Sequence, residues 1–164
     1  MSIDEEDFKH CVSNFATGVT VVTLEWQNDH LGLTVSSFCS VSLDPPLVSI
    51  CIEKDARTHD PLLEGAGFTV NFLTEDQKPI SKRFARPGLS MEKRFDETEC
   101  TSHEIGGPVI QGGLGWIACE EYDHFPGGDH TVFLGKVMEG ENYSDEPPLL
   151  YFKGDYGEYT AFDN

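Results

Sequence analysis

The chain has 164 residues, 29 acidic against 11 basic, for a net charge of -18 at neutral pH. One domain over residues 1–164 is the expectation at this length, and 11 Phe, 5 Tyr and 2 Trp supply one core. The charge argues against a nucleic-acid partner, since no basic stripe is present to displace phosphate counterions. No apolar run approaches the roughly 20 residues that a membrane span needs.

The acidic start, Met1-Ser2-Ile3-Asp4-Glu5-Glu6-Asp7, lacks the basic region of a signal peptide. Cys11, Cys39, Cys51, Cys100 and Cys119 are scattered and form no CxxC pair. That pattern points away from zinc and from a disulfide framework, and toward a reducing cytoplasm. The acidity reads as a solvated surface or as adaptation to a salty cytoplasm, where screening removes self-repulsion.

In chain order, Asp4 to Asn14 predicts a short helix with Ile3, Phe8, Val12 and Phe15 on one face. Gly18 to Leu24 is a strand. A turn at Gln27-Asn28-Asp29-His30 makes a hairpin with Leu31 to Phe38. Leu47 to Ile52 is a third strand, set off by Pro45-Pro46. Arg57 to Leu63 reads as a helix start with Thr58 as N-cap. Phe68 to Leu73 alternates as a strand, and Gln77 to Ala85 is a helix with Ile80 and Phe84 inward. Residues 86 to 107 read as a mobile excursion. Leu114 to Glu121 is a strand, Tyr122 to Gly128 a loop, and Thr131 to Met138 a strand. Leu149 to Phe152 is a last strand before a tail carrying Tyr156, Tyr159 and Phe162. Many short strands with few helices predict a small, mostly β antiparallel barrel with peripheral helices.

Four constellations carry chemistry. Thr34-Val35-Ser36-Ser37-Phe38-Cys39-Ser40 places small side chains and hydroxyls on a strand, where a flat, polar-edged ligand can lie against the backbone. Lys54, Arg57 and Thr58 put two cations and a hydroxyl at a helix start, a seat for phosphate. His130, in Gly127-Gly128-Asp129-His130-Thr131, stands at a loop-to-strand junction. Pro147 to Tyr156 is aromatic and can stack a heterocycle. Taken singly, each also fits an ordinary role: an edge strand, a capped surface helix, a structural histidine, a terminal strand. His10, His30, His59, His103 and His124 read as structural or surface groups. The sequence holds no Gly-x-Ser-x-Gly elbow, Gly-x-Gly-x-x-Gly fingerprint or P-loop lysine, so enzymatic chemistry belongs to a bound cofactor.

Together, and in order, these pieces resemble the flavin reductase family with the FMN-binding split-barrel fold. Phe15 to Thr23, Gly32 to Phe38 and Ser40 to Val48 carry the resemblance, with Phe68 to Leu73, Gly128 to Gly135 and Pro148 to Tyr151. The resemblance implies a Greek-key split β-barrel that binds FMN, or alternatively FAD, with NADH or NADPH as cosubstrate. It implies that Thr34, Val35, Ser36, Ser37 and Ser40 line the isoalloxazine and ribityl, and that Cys51, Ile52, Glu53 and Lys54 pass along the flavin. Thr58 matches the phosphate region. Ser81, Arg83 and Phe84 match the helix closing over the flavin tail. His130 and the segment around Tyr151, Gly154 and Tyr156 match the nicotinamide side.

The implied reaction moves hydride from nicotinamide C4 to flavin N5, with His130 positioning the nicotinamide rather than transferring a proton. Reduced flavin then serves a monooxygenase component or another acceptor. A 2′-phosphate wants a spare arginine, and only Arg57, Arg83, Arg86 and Arg94 exist, which favours NADH. The family also implies a homodimer with flavin sites at or near a mainly apolar interface. Two other readings compete: a flavin store or electron relay without nicotinamide turnover, and a barrel that serves interaction without flavin.

Overall fold

The computed structural model describes residues 3–162. Asp4 caps the first helix, α1 (Glu5–Val12), by accepting from the Asp7 amide at 2.9 Å. Glu5, Glu6 and Asp7 fill its first turn, where the backbone dipole favours carboxylates. No residue of α1 is buried, so its apolar face, with Phe8 and Val12, lies open.

After β1 (Thr17–Gly18) comes the hairpin of β2 (Thr20–Trp26) and β3 (Asp29–Val35). Gln27 and Asn28 make its turn with φ of 52° and 68°, the geometry that suits the twist of a two-residue hairpin. β4 (Phe38–Leu43) and β5 (Pro46–Glu53) follow, joined across a cis Asp44-Pro45 bond. The sequence predicts one strand from Leu31 to Phe38, but the chain breaks at Ser36-Ser37. There the Ser37 hydroxyl donates to the Cys51 carbonyl at 3.0 Å and accepts from the Cys51 amide at 3.2 Å. That local bond replaces a ladder pairing.

α2 (His59–Leu63), β6 (Phe68–Phe72), a 3₁₀ turn (Glu75–Gln77) and α3 (Lys78–Ala85) come next. The segment 86–107, read as a mobile excursion, contains α4 (Met91–Phe95), capped by Ser90, and β7 (Cys100–Thr101). β7 pairs with β8 (Val109–Ile110). β9 (Gly115–Gly127) and β10 (His130–Asn142) form a long hairpin. Residues 122–127, predicted to be loop, are strand, because the ladder continues to Gly127↔His130 around a turn at Gly128-Asp129. Irregularities at Leu134/Gly135 and Val137/Glu139 bend this hairpin. β11 (Leu150–Phe152) and β12 (Asp155–Gly157) close the order, with β12 lying in what reads from sequence as a tail.

The main sheet runs β3-β2-β6-β9-β10-β5-β4, antiparallel throughout. Leu31 and Val35 near one edge share a core with Val48, Ile50 and Ile52 near the other, together with Val22, Leu24, Phe68, Val70 and Phe133. The sheet therefore curls into a barrel. Its edge strands β3 and β4 are not hydrogen-bonded to each other, which leaves the barrel split. At Gly135 an added Cβ would sit 2.4 Å from Phe68 Cζ, so this glycine lets the strand close onto the core.

A second core holds Val19, Val21, Leu73, Phe84, Ile110 and Leu149. Three backbone bonds knit it into a ring: Val19 N–H to Leu149 C=O at 3.1 Å, Leu149 N–H to Leu73 C=O at 3.0 Å, and Leu73 N–H to Val19 C=O at 3.2 Å. Among the described residues no helix is long and apolar enough to cross a membrane.

Candidate active site

A cleft of about 720 Å³ opens where β3, the exit of β5, α2 and the 84–94 segment meet. Leu33 and Thr34 enter from β3, Glu53 from β5, and Asp55, Ala56, Arg57 and Thr58 from the connection to α2. Phe84, Ala85, Ser90, Met91 and Arg94 form the opposite wall.

Thr58 is 1% exposed, and its hydroxyl has no hydrogen-bond partner. The sequence predicts an N-cap there. Thr58 does stand at the N-cap of α2, but its backbone is already αR (φ -85°, ψ -12°) and its side chain makes no cap bond. The hydroxyl stays buried and unsatisfied in a residue that lines the cleft, and such a group costs about 1–3 kcal/mol while it has no partner.

Two cations line the same cleft, Arg57 beside Thr58 and Arg94 across from it. Arg94 donates to the carbonyls of Gly32 (3.0 Å), Arg86 (3.0 Å), Leu89 (3.4 Å) and Phe84. Burial, then the charge of Arg57, lowers the pKa of its guanidinium. Neither Arg57 nor Arg94 has a carboxylate within ion-pair distance among the described residues. Two guanidinium groups without a carboxylate partner therefore line the cleft together with Thr58.

Of the residues predicted from sequence, Thr34, Glu53, Thr58 and Phe84 line this cleft. Thr34 donates to the Ser81 carbonyl at 2.6 Å, and the buried Ser81 hydroxyl lies 2.8 Å from the Tyr156 hydroxyl. Those two contacts tie β3, α3 and β12 together beside the cleft. Tyr156 stacks edge-on against Tyr151 with centroids 5.5 Å apart, and Gly154 supplies the turn between them at φ +83°. Lys78 and Lys82 stand over the Tyr156 ring.

Ser36, Ser37 and Ser40 are exposed along the β3–β4 edge. Cys51 is half-buried beside Ser37. Val35 and Ile52 turn their side chains into the core, so only their backbones can face a ligand. The Lys54 ammonium donates to the Gly128 carbonyl and its amide to Asp129 at 3.0 Å, which fixes the β9–β10 turn. Arg83 lies apart from the cleft lining, bonded to Thr98 (2.9 Å) and Glu97 (2.7 Å).

His130 also lies outside the lining, but its Cα pairs with Glu53 at the cleft's rim. Its Nδ1 sits 2.8 Å from Asp129 Oδ1. Hydrogen bonding to His130, then its charge, holds the exposed Asp129 carboxyl below the usual carboxylate range. Arg94, Met91 and Ser90 are among the wall residues that sequence reasoning missed. The signal was Ser90 followed by Met91-Glu92-Lys93-Arg94-Phe95, a capped helical turn inside a segment rich in glycine and charge.

The "Flavin reductase like domain" family matches residues 12–160. The reductase component of 4-hydroxyphenylacetate 3-monooxygenase from Thermus thermophilus is 37% identical, over 93% of this chain and 95% of its own. The FMN reductase (NADH) SmoA of Agrobacterium fabrum is 35% identical, over 96% and 87%. The Streptomyces globisporus C-1027 NADH:FAD oxidoreductase SgcE6, in complex with NAD and FAD fragments, superposes with a TM-score of 0.89. It is 33% identical, over 98% of this chain and 97% of that one. The chain belongs to the flavin reductase family and has its split-barrel fold. Its activity is that of an NAD(P)H:flavin oxidoreductase.

Proposed function

We propose that the cleft walled by Thr58, Arg57 and Arg94 holds the phosphate end of FMN or FAD, and that the protein supplies the reduced flavin to a monooxygenase component. The observation that carries this reading is the buried, unpartnered Thr58 hydroxyl beside two unneutralised guanidinium groups. A flavin bound there supplies a hydride acceptor, which none of the twenty side chains provides. Thr34 and Phe84 wall the cleft nearer the barrel, and the hydroxyls and backbone of Ser36, Ser37, Ser40 and Cys51 extend the surface along the barrel's split edge. His130, fixed by Asp129, orients the nicotinamide, and Tyr151 and Tyr156 flank that approach. The chain's contribution is orientation, with no proton to move. Only four arginines are present in the sequence, which supports NADH over NADPH.

A single unit over 1–164 and a homodimer belong to the same reading. The open apolar face of α1 and the edge residues Val41 and Leu43, which is 97% exposed, support a partner copy. Five free cysteines support a reducing cytoplasm. Relatives named as reductase components of monooxygenases support the acceptor.

The test is NADH and NADPH oxidation by purified protein, under air, with FMN, FAD or no flavin added. Flavin-dependent oxidation is expected. A protein that binds flavin yet oxidises neither nicotinamide would be a store or relay instead.

A further inference from the structure

His59 is 5% exposed and belongs to neither wall of the cleft. Its Nε2 lies 2.9 Å from the Thr131 hydroxyl, itself on a residue 4% exposed, and its Nδ1 lies 3.2 Å from Asp60 Oδ1. An ionised carboxylate only accepts, so the network assigns the proton to Nδ1. In the neutral ring Nε2 is then the acceptor for the Thr131 hydroxyl. The ring packs edge-on against the buried Phe133, centroids 5.8 Å apart, which leaves it no second orientation at low cost.

The two bonded residues each have a neighbour with a different task. His59 directly follows Thr58, which lines the cleft. Thr131 directly follows His130. Burial alternates along β10, so Thr131 points inward while His130 points out on the opposite face. One buried hydrogen bond thus joins the two segments that carry the flavin-side and nicotinamide-side groups.

We infer that the His59–Thr131 bond is a positioning device that fixes the spacing between Thr58 and His130, and so the stacking distance of the two reactants. The inference rests on the proposed roles of those two neighbours. It makes His59 a positioning residue, since it acts through Thr131 and Thr58. Hydride transfer is steep in distance, so a small shift of β10 relative to α2 is read out as lost rate rather than lost flavin affinity.

The experiment compares His59→Phe, Thr131→Val, the double variant, His59→Gln and His130→Ala in the full chain. It measures flavin Kd by fluorescence quenching, kcat and KM for NADH with saturating flavin, and amide exchange across 57–62 and 129–132 without flavin. Each single variant is expected to lose on the order of tenfold in kcat/KM for NADH while flavin Kd moves less than about threefold. The double variant is expected to be no worse than the worse single, because the two groups share one bond. His59→Gln, whose amide oxygen can accept from Thr131, is expected to recover most of the loss. Amide exchange is expected to rise in both segments together. Kinetic losses absent from folded variants, or additive in the double variant, overturn the positioning role while leaving the proposed site intact. An unchanged NADH KM in His130→Ala overturns the proposed nicotinamide site and this inference with it.

Discussion

The Arg94 guanidinium and the Gly32 carbonyl meet at 3.0 Å, and through that contact α4 is fastened to β3. The carbonyls of Phe84, Arg86 and Leu89 converge on the same side chain, so one arginine organises the outer wall of the cleft. Phe84 fills the space over Gly32, where an added Cβ would lie 2.7 Å from its ring. Arg94→Met leaves those carbonyls without their donor. It is expected to lower unfolding stability by about 3 kcal/mol and to weaken flavin binding at least tenfold, as read by urea titration and fluorescence quenching. Unchanged flavin affinity would separate this wall from the flavin.

Thr58→Val replaces the unpartnered hydroxyl with a methyl of nearly the same shape. Without flavin the variant is expected to be as stable as the parent or more so by about 1 kcal/mol, because a buried unsatisfied group disappears. With flavin the order reverses, and Kd is expected to rise by roughly tenfold, the loss of one hydrogen bond to a charged oxygen. An unchanged Kd would remove Thr58 from the phosphate seat.

Burial pushes the Cys119 thiol up to about 12, and burial, then the charge of Glu99, pushes Cys100 up to about 11. The unfolded thiols ionise near 9. Above that pH the unfolded state loses protons that the folded state keeps, so stability is full below about 9 and falls as pH rises toward 11–12. The melting temperature is expected to drop between pH 8 and pH 11, and to drop less steeply in Cys119→Ala. Parallel curves for the two proteins would refute the assignment.

The charge of -18 has few internal partners. Lys9–Glu5 and Arg83–Glu97 are the ion pairs of lysine or arginine with a carboxylate among the described residues. The remaining carboxylates repel one another across the surface, and salt shortens that repulsion from roughly 10 Å at 0.1 M to 3 Å at 1 M. Raising NaCl over that range is expected to raise the melting temperature by several degrees. A flat response would show that the acidic groups are too dispersed to oppose folding.

The barrel was legible because short β-branched and aromatic runs mark its strands, although β2 and β6 are buried on both faces, Val22 and Leu24 in one core and Val21 in the other. What escaped depended on partners distant in sequence. The polar run Tyr122 to Gly127 is strand only because β10 lies alongside it, and Asp155 to Gly157 only because β11 does. Thr58 illustrates the same limit within the site. Its position after Arg57 predicts a cap, and it does stand at the N-cap of α2, but its αR backbone leaves the hydroxyl buried and without a cap bond. Arg94 escaped for the opposite reason: its ligands are carbonyls, which carry no sequence signature.

The ring of bonds among Val19, Leu73 and Leu149 bears on how the molecule is made in the cell. Residue 19 leaves the ribosome early, yet its amide must wait for the Leu149 carbonyl more than a hundred residues later. Until then the Val19 amide, in the link between β1 and β2, lacks its partner, and Phe84 has an incomplete core to enter. Synthesis at ~5–20 residues per second makes that wait roughly 6 to 26 seconds long. The barrel itself needs β10, which ends at Asn142, so barrel and lower layer are completed almost together, and until then the pocket awaiting Phe84 is where a chaperone would find apolar surface to hold.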